Sequence, residues 1–253
     1  MKISSNYLVN NMKEKVKKLK EIINNSNNIV VFTGAGISCP SPSNIPDFRS
    51  SNGIYSSKTN LNIPVEEIIS RDFFLENTKD FYNFYFNKMV YPNALPNKAH
   101  KYFSKLEKLG KVKAVVTQNI DNLHQLAGSR NVIELHGSVH RNYCMKCRKF
   151  YSLDDILGSD VPKCSCGGII KPDVVLYNEM LDYDNIEKAI HYISSADTLI
   201  VVGTSLTVYP ARSYINYFKG KNLVLINKSK TDFDMYSSLV INEDVVKVIE
   251  MLE

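Results

Sequence analysis

Tryptophan is absent from the 253 residues, an absence that excludes nothing by itself, while glycine (11) and proline (9) are too few for a collagen-like or low-complexity chain. No apolar run approaches the roughly 18 residues of a membrane-spanning helix, so a spanning protein is not expected. The N-terminus also lacks the apolar core of a signal peptide. A one-sided charge is missing too: 31 basic against 26 acidic residues leave a net charge of +5. Without a clustered basic stripe, direct nucleic-acid binding is not expected. What remains, 44% hydrophobic and 23% charged, is ordinary globular composition. The length suits one large domain carrying a small second module.

Short apolar runs punctuate the chain at Asn28–Thr33, Lys113–Thr117, Val132–Leu135, Val174–Tyr177, Thr198–Val202 and Leu223–Asn227. Continuous, β-branched runs of this kind read as strands buried on both faces of a parallel sheet. Helical spacing lies between them. Val16, Leu19, Ile22 and Ile23 form one stripe in a lysine-rich N-terminal segment. Ala99, Phe103, Leu106 and Leu109 form another, stopped by Gly110, and further stripes run through Ile186–Ile193 and Val245–Leu252. Alternating strand and helix predict an α/β fold, a doubly wound parallel sheet with helices on both faces. Two stretches break the rhythm: aromatic-rich helical text at 50–95, and a cysteine-bearing stretch at 140–169.

Five cysteines are an odd number, and four of them fall between 144 and 166. Cys144 and Cys147 form one close pair, Cys164 and Cys166 another, with 16 residues between the pairs. Two such knuckles can present four thiolates tetrahedrally to zinc, leaving no open position, so the metal would be structural. Two disulfides or reduced core thiols are the alternative. Cys39 is left over and reads as a small buried apolar residue.

Gly34-Ala35-Gly36 follows the first apolar run and Gly203-Thr204-Ser205 follows Thr198–Val202. Glycine at a strand end lets backbone approach a pyrophosphate, and a following helix N-terminus offers free N–H groups. The third glycine of the dinucleotide fingerprint is missing, so a tight structural turn explains either loop alone. Two such loops could converge on one phosphate-bearing ligand at the switch point of the sheet. More polar clusters close predicted strands: Gln118-Asn119-Ile-Asp121 and His136-Gly137, with Ile45-Pro-Asp47-Phe48-Arg49 after the first loop. A histidine at such a strand end suits general-base work near neutral pH, or structure. His100 and His124 sit on helical text and read as packing or capping residues, and His140 and His191 suggest no role.

The ordered set GAGIS (34–38), IPDFR (45–49), PNKAH (96–100), TQNIDNLH (117–124), ELHGS (134–138), the four cysteines, GGIIKPDVVLYNE (167–179) and VVGTSLTVYP (201–210) resembles the sirtuins, the NAD-dependent protein deacylases. The resemblance implies a Rossmann-like NAD-binding domain from segments 1–49, 96–139 and 170–253. A small domain would combine the helical insertion 50–95 with a zinc ribbon at 140–169. It implies NAD as a consumed co-substrate, one structural zinc ion, and acyl-lysine proteins as partners. Gly34, Ala35, Gly36, Asp47, Phe48 and Arg49 would hold NAD, with Ile45 near the nicotinamide. Gln118, Asn119 and Asp121 would face the ribose and nicotinamide, the latter two also serving catalysis. Gly203, Thr204 and Ser205 would take the phosphates and adenosine ribose. Asn227 and Lys228 would lie near the adenosine, with Asp244 and Val245 capping it. Val175, Tyr177, Asn178 and Glu179 would pair with substrate backbone.

On that resemblance the acyl oxygen attacks the ribose anomeric carbon and His136, as neutral base, takes a proton from the ribose hydroxyls. Nicotinamide, free lysine and O-acyl-ADP-ribose leave. ADP-ribosyl transfer or NAD hydrolysis on the same scaffold is one alternative, a non-enzymatic zinc-ribbon binding module another. The chain departs from the family pattern in three places. The loop Cys39–Asn44 is longer by two residues and carries two prolines, and Asn44 and Asn178 stand where glycine is usual. Tyr82-Asn-Phe-Tyr85 lacks the arginine that accompanies a preference for acidic acyl groups, so an uncharged acyl group, acetyl first, is expected. A cytoplasmic monomer is the expectation for location and assembly.

Overall fold

A computed structural model describes residues 5–56 and 61–253; the rest of segments 1–49 and 50–95 lies outside the described residues. Nine strands are present among these: β1 Ile29–Thr33, β2 Val112–Thr117, β3 Val132–Glu134, β4 Gly137–Cys144, β5 Phe150–Ser152, β6 Ile170–Val174, β7 Thr198–Val202, β8 Asn222–Ile226 and β9 Leu239–Ile241. The helices are α1 Ser5–Asn25, α2 Val65–Ile68, α3 Arg71–Glu76, α4 Thr78–Lys88, α5 Lys98–Lys108, α6 Leu123–Leu126, α7 Tyr183–Ser195 and α8 Val245–Leu252. None is long and apolar enough to cross a membrane.

Six strands form a parallel sheet in the order β3-β2-β1-β7-β8-β9. Side chains alternate faces along a strand, so each apolar run serves two cores. Ile29 and Val31 of β1 join Ile200, Val202, Val224 and Ile226 under α1, α5 and α8, whose Leu19, Phe103 and Val248 close that face. Val30 and Phe32 point the other way, with Leu199, Val201 and Leu225, against Ile193 of α7 and Ile215. This double burial is why the runs lack polar alternation. α5 begins with a capping box: the Asn97 side chain accepts from backbone N–H groups while His100 Nδ1 accepts from the Asn97 N–H. His100 is therefore a capping residue, as expected.

The second sheet is small and antiparallel, ordered β5-β4-β6. One apolar cluster joins it to the helical insertion: Phe74, Phe81, Tyr82 and Tyr85 pack with Val139, Cys144, Ile156, Cys164, Ile170 and Val174. Phe74 meets Phe81 edge-on at 4.9 Å, and Phe81 stacks on Tyr85 at 5.6 Å.

Two expectations are corrected and one strand was not anticipated. The run Val174–Tyr177 is not a strand of the parallel sheet; its first residue ends β6, which pairs with β4. β4 itself, GSVHRNYC, escapes an apolar-run criterion because only alternate parts of it are buried. The helix after the first glycine loop is a single 3₁₀ turn, Ala35–Ile37.

Phe81→Ala removes a ring wholly excluded from solvent at the centre of the second cluster. We expect a loss of about 3–5 kcal/mol in chemical denaturation. A loss under about 1 kcal/mol would refute this packing account.

Candidate active site

The strand order reverses between β1 and β7, since the chain steps from β1 out to β2 and from β7 out to β8. The loops leaving these two strands therefore diverge and open a crevice at their carboxyl ends. At its floor they touch. The Gly36 N–H donates to Gly203 O at 2.7 Å, and Gly34 N–H to Val202 O at 3.1 Å. A Cβ on Gly36 would stand 2.8 Å from Gly203 Cα, and one on Gly203 would stand 2.3 Å from Ile37 N. Gly203 also sits at φ +60, a left-handed value.

The crevice encloses about 520 Å³. Gly34, Ala35, Gly36, Ile45, Asp47, Phe48, Arg49, Gln118, Asn119, Asp121, His136, Gly203, Thr204, Ser205, Asn227, Lys228 and Val245 all line it, as do Val175, Tyr177, Asn178 and Glu179. Asp244 does not. It N-caps α8 by accepting from Val246 N–H at 2.8 Å, and it pairs with Lys228 Nζ at 2.9 Å. Its neighbour Glu243 lines the crevice instead.

His136 stands at the end of β3, where Gln118 O lies 2.9 Å from its Nδ1. A carbonyl only accepts, so Nδ1 carries the proton and Nε2 keeps a free lone pair. Burial lowers the imidazole below its usual pKa, and the bond to Gln118 offsets only part of that. The ring is therefore neutral at pH 7. The next residue, Gly137, sits at φ +74, where a Cβ would strike Asp173 O.

Beside it is a polar cluster that the motif reading left incomplete. Ser38 Oγ donates to Asp121 Oδ2 at 2.7 Å and accepts from Asn119 Nδ2 at 3.1 Å. His100 Nε2, 3.3 Å away, donates to the remaining lone pair of Ser38. Asp121 also accepts the Leu123 N–H at 2.9 Å. Burial raises the Asp121 pKa, while the bonds from Ser38, Leu123 and Asn119 work against that rise. Behind lies His124, pushed down to about 4 by burial, whose Nε2 meets Thr33 Oγ1 at 3.1 Å. Ser38 was legible only as part of GAGIS, and Tyr55, another lining residue, carried no motif signal at all.

Cys39 lines the crevice and is only part-buried, which corrects its reading as a core residue. Burial, with Asp47 nearby, pushes its thiol up to about 11, so it stays protonated. Tyr82 and Tyr85 are wholly buried and line no part of the crevice. Tyr82 donates to Ile170 O inside the second core. The crevice wall is thus built from other residues. Ile54, Ile69, Met89, Ile120 and Val139 supply an apolar wall.

The four clustered cysteines meet as the spacing requires. Their Sγ atoms all lie within 4.8 Å of one another, with Cys144 to Cys166 at 3.5 Å and Cys147 to Cys164 at 3.6 Å. Four sulfurs about 2.3 Å from one zinc ion form a tetrahedron of similar edge, so the set fits structural zinc. Gly168 is required there, because a Cβ would stand 2.6 Å from Cys144 Sγ.

The profile of the Sir2 family matches residues 34–210, which takes in both glycine loops, the histidine and the cysteines. The chain belongs to the Sir2 family. A relative from Clostridium perfringens named NAD-dependent protein deacetylase is 58% identical over 94% of this chain and 98% of its own length. One of the same name from Clostridium tetani is 56% identical over 92% of this chain and 95% of its own. Among solved structures, Sir2 bound to acetylated peptide aligns at TM-score 0.80 with 39% identity, over 93% of this chain and 95% of that one. A Sir2 complex with a peptide and NAD+ aligns at TM-score 0.81 with 40% identity, over 93% and 95% respectively.

We expect one zinc ion per chain by elemental analysis. Cys147→Ala leaves three thiolates, and should lose the metal and lower the melting temperature; a metal-free wild type with unchanged melting would refute the site.

Proposed function

We infer that this chain is an NAD-dependent protein-lysine deacetylase. The observation that carries the reading is the convergence, in one crevice, of the paired glycine loops, a neutral imidazole with Nε2 free, and the Ser38–Asn119–Asp121 cluster. The cradle fits a dinucleotide: Gly34, Ala35, Gly36, Gly203, Thr204 and Ser205 bring backbone close enough for a pyrophosphate. Asn227, Lys228, Glu243 and Val245 bound the end assigned to the adenosine. Asp47 accepts the Arg49 and Ser50 N–H groups at 3.0 and 2.7 Å, which holds the turn that sets Phe48 and Arg49 on the crevice wall, where they would help hold the cofactor.

When bound, NAD supplies an anomeric carbon whose nicotinamide can leave. The chain supplies positioning and a proton acceptor. Asn119 and Asp121 are held from behind by Ser38, so they orient the nicotinamide and ribose without reorganising. The weak amide nucleophile makes that positioning a large share of the rate. His136 Nε2 then accepts the proton of a ribose hydroxyl, and Gln118 O stabilises the imidazolium that results. The segment 175–179 borders the place for substrate backbone, but the Val175 N–H and both Tyr177 backbone groups already bond to His136, Ile69 and Arg71, so Tyr177 faces substrate with its side chain rather than by strand pairing. The zinc ion shapes the small module and stays out of the chemistry.

The acyl group is uncharged on this reading. Among the described lining residues the two fixed cations are engaged elsewhere, Arg49 over the Tyr55 ring and Lys228 with Asp244. The four-thiolate set suits a reducing compartment, hence the cytoplasm, and a monomer is the assembly taken with this reading. Direct nucleic-acid binding plays no part in this reading.

Incubation with NAD and an acetyl-lysine peptide should yield nicotinamide, free lysine and O-acetyl-ADP-ribose in equal amounts. His136→Ala should abolish deacetylation. ADP-ribosylated protein or free ADP-ribose as the main product would instead establish one of the alternative NAD reactions. The active form is the neutral imidazole, so activity falls as pH drops through its pKa. Because burial lowers that pKa, the acid limb of the rate profile should have its midpoint below 6.5. An acid limb centred above 7 argues against His136 as the base. Succinyl-lysine peptide should react more slowly than acetyl-lysine peptide, and the reverse order sinks the acyl assignment.

A further inference from the structure

Two phenols face each other at the mouth of the crevice. The Tyr55 and Tyr177 hydroxyl oxygens are 2.6 Å apart, joining segments 122 positions apart in the chain. Each ring is held independently. Phe48 meets Tyr55 edge-on at 5.6 Å, and the Arg49 guanidinium lies 5.1 Å from the Tyr55 ring centre. The Tyr177 backbone is pinned on its far side: its N–H donates to Ile69 O at 3.0 Å and its carbonyl accepts from Arg71 N–H at 2.9 Å.

The position relative to His136 gives the pair its meaning. The Val175 N–H donates to His136 O at 3.0 Å, so the segment starts beside the imidazole and runs outward. Val175 and Tyr177 are two apart in extended chain and both line the crevice. Tyr177 is 39% exposed, which sets it at the outer end of that line. The surrounding wall is apolar, with Ile54, Ile69, Val174 and Leu176. Burial and the Tyr177 hydroxyl both raise the Tyr55 pKa, so Tyr55 enters the contact as a neutral phenol.

We propose that Tyr55 and Tyr177 are substrate-entry residues: their hydroxyl–hydroxyl bond spans the mouth of the acyl-lysine passage and opens before the modified side chain seats against His136. The proposal rests on the deacetylase reading. Neither phenol touches the reacting atoms; they act on access. The bond tethers the 54–56 segment to the 175–179 segment while the passage is empty. Its loss shifts the closed–open balance by the net strength of one half-exposed hydrogen bond, about 2- to 12-fold.

The test uses the full-length chain at saturating NAD, with acetyl-lysine peptide varied. Tyr177→Phe and Tyr55→Phe each keep the ring and remove one hydroxyl. Each should lower the peptide KM by about 2- to 12-fold, a larger factor than any change in kcat, and speed the association of a fluorescent acetyl-lysine peptide. Because both variants break the same bond, the double variant should gain nothing over either single one. Melting curves report whether each variant is folded, and the kinetic split is read on the folded variant. An unmoved or raised peptide KM in both single variants overturns the proposal, as does additivity in the double variant. A wild type without NAD-dependent deacetylation overturns the functional reading and this proposal together. An active wild type with unresponsive variants overturns this proposal alone.

Discussion

Two stretches of bare backbone lie against each other at the ends of β1 and β7, and the crevice exists because nothing separates them. The bond from Gly36 N–H to Gly203 O, at 2.7 Å, leaves no room for a side chain on either partner. That contact holds the floor where the sheet order reverses. From it the first loop carries Ser38 and Asp47 one way, and the second carries Thr204 and Ser205 the other. Gln118 Nε2 reaches Thr204 Oγ1 at 3.2 Å, tying the end of β2 into the same floor. Chemistry assembled on rigid strand ends in this way costs little reorganisation when a ligand arrives.

Behind the floor the polar groups form a hydrogen-bond network whose donors and acceptors follow from its hydroxyl groups. Ser38 spends its single proton on Asp121, so His100 must donate from Nε2, which frees Nδ1 to accept the Asn97 N–H. Thr33 likewise donates to Thr117 at 2.8 Å, so His124 donates to Thr33. Thr117 in turn accepts the Asn119 N–H at 3.0 Å. Both histidines are depressed by burial and remain neutral. The bonds from Ser38 fix the Asn119 and Asp121 side chains more firmly than packing alone, while His124 Nδ1 at the far side of the network finds no partner.

Much of this was legible in the sequence because its physical causes are local. Strands buried on both faces write themselves as unbroken apolar runs, and strand ends at a switch point collect glycine and polar residues. Cysteine spacing reported the metal site for the same reason. The two asparagines that break the family pattern prove to be conservative: Asn44 and Asn178 sit at φ 52 and 67, the left-handed region that asparagine tolerates almost as glycine does. What escaped depends on distant partners. β4 is specified by pairing with β6, not by its own hydropathy. Tyr82 and Tyr85 looked like candidates for the acyl end but belong to an aromatic core. Asp244 looked like an adenosine contact, yet it caps a helix and holds Lys228. Tyr55 gained meaning only when Tyr177 was found opposite.

Arg141 reaches from β4 to both sides of His136: its Nη1 donates to Glu134 at 2.6 Å and its Nε to Asp173 at 2.8 Å. Glu134 ends a strand of the parallel sheet, and Asp173 lies in the antiparallel one. The guanidinium is thus a strut across the crossover on which the imidazole stands. The base therefore stands where the two sheets are held to one another by a guanidinium.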